Sequence, residues 1–265
     1  MLHYKTYLKG PNHEWIVFVH GAGGSSSIWY KQIREFKKEF NVLLLDLRGH
    51  GRSKSKRLLF RSYSFQNISQ DVLEVMDHLG IPCAHFVGIS LGTILIQTIA
   101  ELEPHRVRSM TLGGAVIKLN LRSTLLIRLG NAVKAFVPFM WLYRLFAWVI
   151  MPNKHHEHSR SLFIREAKKL CQKEFKRWFT LTMRINSFLK NMREREIPVP
   201  TFYIMGEEDY MFLPAIQTMI DQKKYSRLLV LKNCGHVCNV DQPDLFNSAA
   251  LDFIRKHLSV AVSVS

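Results

Sequence analysis

Apolar positions along the chain follow two rhythms. Short apolar, β-branched runs at residues 15–20, 41–47, 86–89, 107–115, 201–205 and 227–231 read as buried strands. Between them apolar residues recur at helical spacing. Residues 29–39 bring Ile33, Phe36 and the following Phe40 to one side. Residues 64–79 turn Ile68, Val72, Val75, Met76 and Leu79 inward, and Gly80-Ile81-Pro82 stops that helix. Further helices are predicted over 93–100, 213–223 and 243–257. Residues 1–9 form an edge strand, closed by a turn at Gly10-Pro11-Asn12. Strands alternating with helices predict an α/β chain with a mostly parallel sheet and helices on both faces.

From 118 to 195 the rhythm changes. Strand signals fade, and long, aromatic and basic side chains dominate. This stretch is expected to be a helical cap over the sheet edge, with residues 1–117 and 196–265 forming the core. Phe136, Phe139, Trp141, Tyr143, Phe146 and Trp148 make its richest part. That run is shorter than the roughly 20 residues a membrane span needs, and Pro138 and Arg144 interrupt it. A lid over an apolar pocket is the expectation.

Composition adds bounds. The 265 residues, 47% apolar and 22% charged, suit a globular protein with a full core. Four cysteines, Cys83, Cys171, Cys234 and Cys238, are too sparse for a disulfide scaffold and suit a reducing compartment. Residues 1–15 have scattered charges and no apolar core of a signal peptide. A cytoplasmic protein is therefore expected. The formal charge of +16 favours anionic surfaces. No nucleic-acid-binding signature accompanies it, so no nucleic-acid partner is expected. Peripheral contact with an anionic membrane surface is the alternative it leaves open.

Candidate chemistry lies in the loops after the strands. In parallel sheets the ligand site lies beyond the carboxyl ends of the strands. The strand over 86–89 runs into Gly88-Ile89-Ser90-Leu91-Gly92, the G-x-S-x-G pattern of a nucleophile elbow. Small flanking residues let strand and helix pass closely, lifting Ser90 to the start of a helix. The first strand ends in His20-Gly21-Ala22-Gly23-Gly24-Ser25, which fails the G-x-G-x-x-G spacing of a dinucleotide site. Asp46-Leu47-Arg48-Gly49-His50-Gly51-Arg52-Ser53 is a compact turn, in which Asp46 and His50, like His20, have structural readings. Asp209 follows the strand over 201–205, and His236 the strand over 227–231. His155-His156-Glu157-His158 lacks the i, i+4 histidine pair of a zincin, and is expected to be a solvated loop with no metal. Cys234 and Cys238 flank His236 and read as packing residues.

A serine hydroxyl needs a base to take its proton, and imidazole has a suitable pKa. The imidazole needs a carboxylate to fix its tautomer. The chain order Ser90, Asp209, His236 is that of α/β-hydrolases. Together with the glycine loop at 20–24, the turn at 46–53, Gly206-Glu207-Glu208-Asp209 and Cys234-Gly235-His236, the chain resembles the α/β-hydrolase family. The resemblance covers nearly everything outside the cap. It implies an eight-stranded, mostly parallel sheet with the cap inserted after the sixth strand. It also implies Ser90 as nucleophile, His236 as general base, and Asp209 as orienting carboxylate, with Glu207 and Glu208 as rivals of Asp209. The oxyanion hole would be the backbone N–H groups of Ala22 and Leu91. No cofactor or metal is implied. A carboxylic ester hydrolase acting on a small or medium apolar substrate through an acyl-enzyme is the expected function. Enol-lactonase, C–C bond hydrolase, thioesterase and perhydrolase use the same triad and stay open. So does a ligand-sensing or partner-binding protein of this fold.

Overall fold

The computed structural model describes residues 1–54, 61–119, 121–133, 136–183 and 185–258. Seven strands form one sheet: β1 (Tyr4–Tyr7), β2 (Trp15–Val19), β3 (Asn41–Leu45), β4 (Ala84–Ile89), β5 (Val107–Gly113), β6 (Thr201–Gly206) and β7 (Ser226–Leu231). Their order is β1-β3-β2-β4-β5-β6-β7. Only β1 runs antiparallel, on β3, and the other pairs are parallel. The expected eight strands are therefore seven among the described residues. After β1 the turn at Gly10 leads within a few residues into Trp15, leaving no length for a second edge strand. The helical insertion accordingly follows the fifth strand rather than the sixth.

Alternation builds two cores from each strand. In β2, Val17 and Val19 pack on one face of the sheet, and Ile16 and Phe18 on the other. The first face is covered by α2 (Phe65–His78) and α3 (Leu91–Leu102), the second by α1 (Tyr30–Phe36) and the closing helix Pro243–Arg255. Ser64 caps α2, its Oγ accepting from the Asn67 N–H. The apolar face expected of residues 64–79 is thus buried where the spacing places it.

Between β5 and β6 the described residues form five helices: α4 (Leu121–Val133), α5 (Phe139–Ile150), α6 (Glu157–Ala167), α7 (Gln172–Met183) and α8 (Ile185–Glu194). Leu142, Tyr143, Ala167, Phe175 and Phe179 give this insert a small core of its own. Three of its side chains also fill glycine positions of the sheet-bearing part. A Cβ added at Gly23 would lie 1.8 Å from the Tyr143 hydroxyl. One at Gly49 would lie 2.5 Å from a Glu174 oxygen, and one at Gly235 2.7 Å from His156 Nε2. The insert is keyed into three separate loops.

Candidate active site

The elbow forms as the glycine spacing predicts. β4 ends at Ile89, Ser90 turns with φ 54° and ψ −121°, and α3 begins at Leu91. That left-handed backbone stores on the order of 1–3 kcal/mol for a residue with a side chain. The surroundings hold it there. The Ser90 N–H donates to Gly113 O at 3.0 Å, and Thr93 Oγ1 donates to Ser90 O at 2.6 Å. Gly92 is obligatory for a steric reason, since a Cβ there would sit 2.2 Å from Val19 O.

The loops after β6 and β7 bring Asp209 and His236 to the same point. Ser90 Oγ lies 2.9 Å from His236 Nε2, and His236 Nδ1 lies 2.7 Å from Asp209 Oδ2. Asp209 is fully buried, His236 almost so. Asp209 Oδ1 also accepts from the Phe212 N–H, fixing the carboxylate. The Phe212 ring packs on His236. Glu208 points elsewhere. Its Oε2 meets Asn153 Nδ2 at 2.5 Å, His155 Nε2 at 2.7 Å and His156 Nε2 at 2.9 Å.

The expectation of a solvated histidine loop holds for the exposed His155, Glu157 and His158 and is corrected at His156. His156 is fully buried, sits just before α6, and with His155 ties the insert to the Glu208 loop. His158 faces Tyr30 at 3.2 Å instead. His155, His156 and Glu208 offer ligand atoms within 4.8 Å of one another, with Glu208 Oε2 hydrogen-bonded to His155 Nε2 and Asn153 Nδ2. Adjacent histidines gave no periodic signal for burial, because the burying partner is remote in sequence.

The loop after β2 is braced from several sides. His20 Nδ1 donates to Gly21 O at 2.7 Å, and its Nε2 accepts from the Leu47 N–H at 2.9 Å. His50 Nδ1 donates to Arg48 O, and its Nε2 accepts from the Gly23 N–H at 2.8 Å. Both rings are therefore neutral and protonated at Nδ1. Burial holds both pKa values below the ordinary histidine range, that of His50 at about 3, with His20 adding to the shift on His50. Asp46 accepts from the Ser26 and Arg52 N–H groups. Burial opposes its ionisation, but those donors win and lower its pKa. Tyr143, from the insert, donates to Ala22 O at 2.6 Å, and Ser25 Oγ donates to Glu166 at 2.7 Å. The aromatic run marked Tyr143 as a pocket residue, and its bond to the Ala22 carbonyl had no sequence signal.

Ser90, His236, Ala22 and Leu91 all open on one cavity of about 170 Å³. Its remaining walls are almost wholly apolar and come largely from the insert, including Tyr143, Phe146, Phe175, Trp178 and Phe179. A second cavity, of about 240 Å³, is lined by Gln97, Arg193 and Glu196 among others and shares no residue with the first. Cys234 and Cys238 are buried thiols, and burial pushes both pKa values up, as suits packing residues.

The arrangement can abstract a proton from Ser90 and hold a reacting carbonyl beside it. Known proteins agree with the fold. RutD of Acinetobacter baylyi, named as a carbamate hydrolase, is 26% identical over 92% of this chain and 94% of its own. The 3-oxoadipate enol-lactonase 1 of the same organism is 23% identical over 94% of this chain and 91% of its own. The crystal structure of the enol-lactonase from Burkholderia xenovorans LB400 superposes with a TM-score of 0.78 at 21% identity, covering 96% of each chain. Residues 14–149 match the family model for the alpha/beta hydrolase fold, and with this sheet, elbow and strand order the chain belongs to that family.

Proposed function

We propose that this chain hydrolyses a carboxylic ester, open-chain or lactone, with a small or medium apolar acyl group. The observation that carries this reading is the chain of contacts from Ser90 Oγ through His236 to buried Asp209. Ser90 Oγ attacks the ester carbonyl while His236 Nε2 takes its proton. The Asp209 carboxylate holds Nδ1–H and stabilises the imidazolium. The backbone N–H groups of Ala22 and Leu91 receive the developing oxyanion, each worth on the order of 3 kcal/mol in the transition state. His236 then returns the proton to the leaving alkoxide, and an acyl-enzyme remains. Water, deprotonated by His236, attacks the acyl carbon, and Ser90 leaves with the proton.

The helical insert acts in this reading as a cap whose aromatic walls select the acyl group. A cavity of about 170 Å³ is close to one that holds a single benzene-sized ring. That size favours short acyl chains and small lactones. The lactone form of the substrate draws support from the enol-lactonase among the relatives, and RutD is a further relative named as a hydrolase.

The test is steady-state hydrolysis of p-nitrophenyl esters of increasing acyl length, wild type beside Ser90→Ala. Turnover should peak at a short chain and fall to background in the variant. Equal rates in the two proteins would remove Ser90 from the chemistry. No turnover from folded wild type on esters or small lactones would leave the ligand-sensing reading.

A further inference from the structure

The outer face of the insert is apolar where a soluble surface is ordinarily polar. On α5, Trp141, Leu145, Trp148 and Val149 are exposed, Trp141 to 70%. They recur at i, i+4, i+7 and i+8, so they form one stripe along the helix. Phe136, just before the helix, is 89% exposed. Leu125 and Leu129, one turn apart on α4, are exposed too. Gly130 of α4 lies against Phe146 of α5, so the two helices are neighbours. Large apolar patches of this kind mark interaction surfaces.

Charge separates the candidate occupants. Seventeen of the 37 Lys and Arg lie between residues 118 and 195, against four of the 21 Asp and Glu. Thirteen of the sixteen excess positive charges thus belong to the insert, and the rest of the chain is close to neutral. Arg144 is exposed within the α5 stripe, and Arg128 is exposed between Leu125 and Leu129. A second copy would bring like charge against like. An anionic bilayer answers both features, taking tryptophan and leucine at the headgroup boundary and cations over the headgroups. No helix among the described residues is long and apolar enough to cross a membrane, so the contact is interfacial.

We propose that the α4–α5 face docks the protein on an anionic lipid surface, with Phe136, Trp141, Leu145 and Trp148 entering the interface. The inner side of α5 carries Tyr143, Phe146 and Ile150, which line the Ser90 cavity. Docking therefore sets the cavity wall against the lipid, and apolar esters partitioned into the bilayer are the substrates closest to hand. This last step rests on the ester-hydrolase reading; the docking does not.

The experiment is flotation with vesicles of phosphatidylcholine alone and with phosphatidylglycerol added, at low and high salt. It uses wild type, Ser90→Ala, the double variant Trp141→Ser/Trp148→Ser, and Arg144→Glu, with melting curves for each. Wild type and Ser90→Ala should float equally with the anionic vesicles only, and salt should weaken the binding. The double variant should lose about ten-fold or more in partitioning, and Arg144→Glu less. Arg144→Glu should leave the melting temperature unchanged, and the double variant, which removes the stack of Trp148 on buried Arg160, should stay folded at the assay temperature. The proposal is overturned if wild type stays unbound, if the double variant floats undiminished, or if light scattering shows a dimer that these substitutions dissociate. Binding by a Ser90→Ala protein whose wild type hydrolyses no ester would keep the docking and discard the substrate.

Discussion

Tyr143 is attached to the catalytic region through one hydroxyl. It donates to Ala22 O, the carbonyl side of the peptide whose neighbours flank Ser90. Tyr143→Phe keeps the ring in the cavity wall and removes that donor. The half-buried Ala22 carbonyl then loses a partner worth about 1 kcal/mol. We expect the ester kcat to fall about ten-fold with KM little changed, because the loop is mispositioned while the pocket is intact. A KM rise at constant kcat would instead make Tyr143 a simple binding wall. His50 gives a pH prediction. Its folded pKa, about 3, lies below its unfolded value near 6.5. Between those limits the unfolded chain binds the extra proton. Stability attributable to His50 is therefore complete above pH 6.5 and declines as pH falls toward 3, by at most about 1.4 kcal/mol per pH unit. His20 acts in the same sense. Urea unfolding at several pH values should show a shallower slope for His50→Gln than for wild type.

The elbow is the element whose form the residue pattern dictates most completely. Gly92→Ala would drive a Cβ to 2.2 Å from Val19 O, a backbone atom that β2 cannot move. Gly80→Ala is the contrasting case. Gly80 has a positive φ, 65°, which the helical Gly92 does not, and nothing lies within 4 Å of the added carbon. Its cost should be about 1 kcal/mol, the backbone penalty alone. Gly92→Ala should cost several times as much and leave little folded protein, read by circular dichroism and yield. A loss at Gly92 no larger than that at Gly80 would show that the Val19 carbonyl gives way to the added carbon. Local steric rules of this kind make strands, elbow and loops readable from the residues alone. Ser90, Asp209 and His236 are readable for the same reason, each lying within a few residues of the end of a strand that its own apolar run announces. The tie from His155 and His156 to Glu208 is not readable. It joins positions more than fifty residues apart through an insert whose helices have no period specifying a partner.

At the scale of the molecule, two things escape the residue pattern. One is the strand count, because the family likeness carries eight strands and the described residues form seven. The other is the placement of charge relative to apolar surface. Basic residues spread along the insert give no local signal on any single helix, yet their total sits overwhelmingly on one part of the molecule. The parallel sheet, by contrast, follows from alternation of strands and helices, and its two buried faces follow the inward positions of each run.

The three glycines filled by Tyr143, Glu174 and His156 bear on how such a protein can change over generations. Each glycine and its plug form a lock-and-key pair. A substitution at Gly23, Gly49 or Gly235 is open only after its partner has shrunk, and a shrunken partner leaves a hole until the glycine is replaced. Grafting a foreign insert onto this sheet would have to carry all three keys at once, so the two parts of the chain are inherited as one piece.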